Sequence, residues 1–181
     1  MSYPVAGAEQ AVGNIERSDQ LTAQAMDAYG RALELNPNDA DLLAEQADLL
    51  AYQGKVKAEE AIEQIHRAMQ INPIYPEWYL WSLGAAYFHA MRYDEAVITL
   101  NSVKEPQPSV HLNLAASYAR LSEQARSADE RDRLLQQARS QLAEFQRITP
   151  GWSLAREQKE RFATAADQEH WTAALQMAGA K

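Results

Sequence analysis

The sequence contains no cysteine, which excludes disulfides, thiolate metal sites and a thiol nucleophile. Glycine and proline are scarce, seven of each in 181 residues, which removes most interruptions to a helical chain. No apolar run approaches the ~18 residues of a membrane span, and the stretch after Met1 has neither the basic nor the apolar segment of a secretory leader. A cytoplasmic chain with no membrane partner is expected. Basic side chains are also few, 17 against 25 acidic ones, for a net charge of −8. Phosphate-backbone affinity comes from Lys and Arg displacing counterions, so nucleic acid is not the expected partner.

What remains is abundant Ala, Leu, Gln, Glu and Arg, the residues that lose least on entering a helix. With 46% apolar and 23% charged residues, the chain can bury a core, and an all-α fold is predicted. The acidic excess is local. Residues 1–50 hold nine acidic and two basic side chains, whereas residues 101–181 hold ten and eleven.

Pro37, Pro73, Pro108 and Pro150 recur at intervals of 36, 35 and 42 residues. Proline is excluded from helix interiors, so these positions mark element boundaries. Twelve residues before them stand Ala25, Ala61, Ala96 and Ala138; eight before, Tyr29, Ile65, Leu100 and Leu142; five before, Ala32, Ala68, Val103 and Phe145. These offsets share one helical face and predict a buried stripe repeated along the chain.

Residues 77–110 carry Leu80, Leu83, Gly84, Tyr87, Tyr93, Ala96, Leu100 and Pro108. In this spacing they resemble the tetratricopeptide repeat, a helix-turn-helix unit of 34 residues. A looser copy spans 40–76, and a fourth spans 111–150 with a charged insert, 122–133, that is expected to lengthen both helices of its pair. Residues 6–39 resemble a degenerate first repeat, in which 21–35 is a good second helix. Residues 151–181 are expected to form two capping helices, Ser153 to Phe162 and one beginning after Thr164, with Phe162, Trp171, Leu175 and Met177 covering the open end of the last repeat. The resemblance implies a right-handed superhelical solenoid of stacked helix pairs. The segment Ile71 to Phe88, Thr149-Pro-Gly-Trp and the stretch from Trp171 to Gly179 are similar to repeat regions that follow the catalytic domain of bacterial class III adenylate and guanylate cyclases. That likeness implies a docking or regulatory role in bacterial signalling, without the cyclase reaction.

In such repeats the first helices line a concave groove. The positions that the resemblance turns toward it are Glu45, Asp48, Tyr52, Trp78, Trp81, Phe88, His89, Asn113 and Arg120. They form an aromatic patch between acid and one arginine, unlike the Lys, Arg and Asn set with which the family clamps a C-terminal carboxylate. For Trp78 and Trp81, packing between repeats is an equal alternative. His66, His89, His111 and His170 show no metal-binding spacing, Glu59-Glu60 and Asp94-Glu95 suit helix starts, and no nucleophile elbow or phosphate loop occurs. The expectation is a non-enzymatic module without cofactor or metal that holds a protein or peptide partner in the groove. A self-associating homo-oligomer, or a small-ligand-binding regulator of a cyclase-like enzyme, is the alternative.

Overall fold

The computed structural model describes the backbone of residues 5–154 and 164–181, and the side chains of 20–154 and 164–181. The described residues form eight helices: α1 (Val5–Leu35), α2 (Ala40–Ala51), α3 (Lys55–Ile71), α4 (Trp78–His89), α5 (Tyr93–Asn101), α6 (Pro108–Glu123), α7 (Ala128–Ile148) and α8 (Ala165–Met177). The pairs α2–α3, α4–α5 and α6–α7 pack as hairpins, and each hairpin stacks on the next. This is the stacked helix-pair solenoid that the repeat resemblance implies.

The predicted stripe is the core. Ala61, Ile65, Ala68, Ala96, Leu100, Ala138, Leu142 and Phe145 are all buried, small residues letting helix backbones approach and large ones filling the space left. The copy on α1, Ala25, Tyr29 and Ala32, is half-buried. Among the described residues α2 is the one helix that packs closely on α1, and the stripe there is left half-buried. Polar links tie the hairpins together. The Tyr79 hydroxyl of α4 donates to Asp41 of α2 at 2.7 Å. Arg92 lies 4.8 Å from the centre of the Tyr87 ring and bonds to both Glu59 of α3 and Glu95 of α5.

Three boundaries differ from the sequence reading. Residues 5–35 form one continuous helix, with no turn dividing a first repeat into two. No proline interrupts the stretch, so nothing forces the backbone out of its hydrogen-bond ladder there. Pro37, Pro73 and Pro150 each stand two residues beyond a helix end, but Pro108 opens α6. The preceding helix α5 already stops at Asn101, because the Glu77 carboxylate draws in the amides of Lys104 and Glu105, both at 3.1 Å. The charged insert extends α6 to 16 residues and α7 to 21, with Ser127 capping α7 by accepting from the Glu130 amide. The expected helix from Ser153 to Phe162 lies, beyond Leu154, outside the described residues.

Gly84 is the tightest point of the stack, since a Cβ there would meet Cγ and Cδ2 of Leu100 at 2.4 Å. Leu100 is itself buried and cannot swing away. Gly84→Ala should therefore destabilise by about 1–3 kcal/mol despite the better helix propensity of alanine. Gly30→Ala on α1 meets nothing within 4 Å and should stabilise by about 0.5–1 kcal/mol. Urea unfolding of the two variants checks the contrast, and equal effects would contradict the packing argument.

Candidate functional site

The hairpin stack aligns α2, α4 and α6, and a cavity of about 420 Å³ opens between them. Six of the nine sequence-predicted residues line it: Glu45, Asp48 and Tyr52 from the α2 side, Trp78 and Trp81 from α4, and Asn113 from α6. Their convergence follows from the helical period. Glu45 and Asp48 lie one turn apart on α2, and Trp78 and Trp81 one turn apart on α4, so each pair shares a face.

Both tryptophans divide their surface. Trp78 sets its ring edge-on to Tyr79, with centroids 4.5 Å apart, and Trp81 packs against Leu100, Val110 and Leu114. Each also presents part of its indole to the cavity, so packing and exposure hold together at the same residue. The Glu45 and Asp48 carboxylates line the same cavity. Glu45 accepts a hydrogen bond from Tyr29 at 3.1 Å, and among the described residues no lysine or arginine pairs with Glu45 or Asp48. Beside Glu45 the burial of the Tyr29 phenol and the nearby acids hold its pKa above the ordinary value. Asn113 is buried, its amide nitrogen donating to Ser109 at 2.9 Å.

The other three predicted residues are placed differently. Phe88 has no exposure, His89 is buried, and Arg120 is largely covered, because α8 lies across this part of the face. Trp171 meets Phe88 edge-on at 5.2 Å and lies 6.1 Å from His89. Arg120 donates to the His170 carbonyl and pairs with Glu123 at 2.9 Å. Trp171 and Leu175, expected to cover the open end of the last repeat, close the side of α6 and reach Phe88 of α4, and leave the exposed face of α7 uncovered. The reason is the surface each offers: α7 turns Gln136, Arg139 and Arg147 outward, which need no cover, whereas Phe88 and Ala119 do. Phe162, expected to share that task, lies outside the described residues.

Several lining residues escaped the sequence reading. Tyr29 belongs to the apolar stripe by its offset from Pro37, and its half-burial on α1 leaves it lining the cavity. Ser109 was detectable, since it lies one helical turn before Asn113 on the same face of α6. Among the described residues no cluster of three or more acidic or histidine side chains is arranged to hold a metal, and no helix is long and apolar enough to cross a membrane.

No family model matches the chain. It is similar to a small glutamine-rich tetratricopeptide repeat-containing protein 2 of the fungus Mycosarcoma maydis, 35% identical over 128 residues. The match covers 68% of this chain and 36% of that protein, so the chain spans about a third of its relative's length. Together with the stacked hairpins, this similarity gives the fold as a tetratricopeptide-repeat solenoid.

The seal formed by α8 contains a titratable group. His170 shares a hydrogen bond of 2.9 Å with the Tyr93 hydroxyl of α5 and stacks on that ring, while Arg120 and Glu123 of α6 and Asp167 of α8 surround it. Burial, reinforced by the Arg120 charge, holds the imidazole below its ordinary pKa of about 6.5. The folded state thus binds this proton more weakly than the unfolded chain. The stability linked to a neutral His170 is fully present above the unfolded value and is lost as pH falls from there through the lower folded value. Between pH 7.5 and 5 the wild type should lose more thermal stability than His170→Gln. Identical pH profiles would contradict the assignment.

Proposed function

We propose that the chain is a non-enzymatic protein-interaction module that holds an extended segment of a partner protein against α2, α4 and α6. The observation that carries this reading is the open cavity on the inner face, lined by two partly exposed tryptophans and two carboxylates. Such a site acts by shape and burial. Aromatic surface gains roughly 25 cal/mol per Å² when covered, less the costs of association, and tryptophan is among the commonest interface anchors. The similarity to a repeat-containing protein supports docking as the mode of action, although only about a third of that relative is matched. The likeness of Ile71 to Phe88 to cyclase-associated repeats supports a regulatory setting for the docking.

The reading is tested by selecting peptides from a displayed library on the 181-residue chain and on its Trp78→Ala/Trp81→Ala variant. Peptides retained by the wild type should bind the variant at least about tenfold more weakly, with unchanged helical circular dichroism. An empty selection, or peptides that bind both proteins equally, would overturn the proposal. Phe88→Ala is the informative contrast: that side chain lies beneath α8, so its loss should lower stability by about 3–5 kcal/mol.

A further inference from the structure

We infer that the cavity is a socket for a basic side chain, arginine above all, carried by an extended segment of the partner protein. This rests on the interaction reading above and adds the chemistry of what is bound. Glu45 and Asp48 supply two negative charges on one face of α2, and no described lining residue supplies a positive one. The indoles of Trp78 and Trp81 and the Tyr52 ring line the same cavity. A cation between aromatic faces and carboxylates is attracted by both, through the ring quadrupole and through charge-assisted hydrogen bonds. Arginine suits the arrangement better than lysine, because its planar guanidinium stacks on a ring while its edge donates to two acceptors.

Hydrogen-bonding chemistry narrows the occupant further. A quaternary ammonium ion has no N–H to donate to Glu45 and Asp48, and an acidic tail would be repelled by them. At about 420 Å³ the cavity is within the range of single-ligand pockets and takes a residue or two of extended chain.

The test uses the full 181-residue protein, labelled with nitrogen-15, and the blocked pentapeptide acetyl-Ala-Ala-Arg-Ala-Ala-amide. The same peptide with norleucine or glutamate at its centre, and tetramethylammonium chloride, serve as comparisons. The indole N–H resonances of Trp78 and Trp81 should shift saturably with the arginine peptide, at an affinity about tenfold or more above that of the norleucine peptide. Glu45→Gln/Asp48→Asn should abolish that preference while the melting curve and helical signal stay as in the wild type. Equal binding of the norleucine peptide, tighter binding of the glutamate peptide, an equal response to tetramethylammonium, a preference that survives the double substitution, or no indole shift with the arginine peptide would each overturn the inference. Library selection separates the two levels. Neutral or acidic peptides that still depend on Trp78 and Trp81 would overturn the basic socket and leave the interaction reading standing.

Discussion

The packing of Trp171 against Phe88 and His89 decides what the inner face of this molecule offers. Helix pairs stacked with their first helices side by side produce a continuous inner surface, and apolar residues along it must be covered by something. Here the chain covers half of that surface itself. Trp171, Ala174 and Leu175 of α8 join the same core as Leu43, Ala86 and Ala119, and Arg120 fixes the helix by donating to a carbonyl within it. The uncovered half is therefore a bounded cavity with defined walls.

That division explains why the aromatic residues of α4 have unlike roles although their sequence positions are equivalent in kind. Phe88, at the α8 end, contributes only to packing and is without exposure. Trp78 and Trp81, at the other end, keep part of each ring uncovered. Gly84 lies between them and sets the scale of the whole hairpin, because its missing side chain is what allows Leu100 to sit against the α4 backbone. Leu100 in turn forms part of the cavity floor, so the closeness of α4 and α5 and the shape of the site are consequences of one contact.

The repeat was legible because burial in a helix stack acts on fixed positions. The alanine, bulky and proline offsets recur, and at Ala61, Ile65, Ala96 and Leu142 they mark buried side chains. Six of the nine candidate residues line one cavity for the same reason, since groove-facing positions follow from helix phase once the register is known. The placement of α8 was not. Its apolar residues Trp171 and Leu175 announce a buried face, but which surface they bury depends on where uncovered area remains after the hairpins have stacked. Nor could local pattern show that Glu77 would end α5 from a distance by capturing the Lys104 and Glu105 amides, or that Tyr29 would be left half-open with its hydroxyl on Glu45.

The central claim is that one inner face is divided into a half sealed by the chain's own helix and a half that receives a partner. Intermolecular nuclear Overhauser effects between a bound peptide and the tryptophan indoles test it most directly, since Trp78 and Trp81 lie in the open half and Trp171 in the seal. The account predicts contacts from the peptide to Trp78 and Trp81, with the contacts between Trp171 and Phe88 intact in the same sample. Peptide contacts to Trp171 accompanied by loss of its contacts to Phe88 would contradict it, showing that the partner displaces α8 and that the face is not divided.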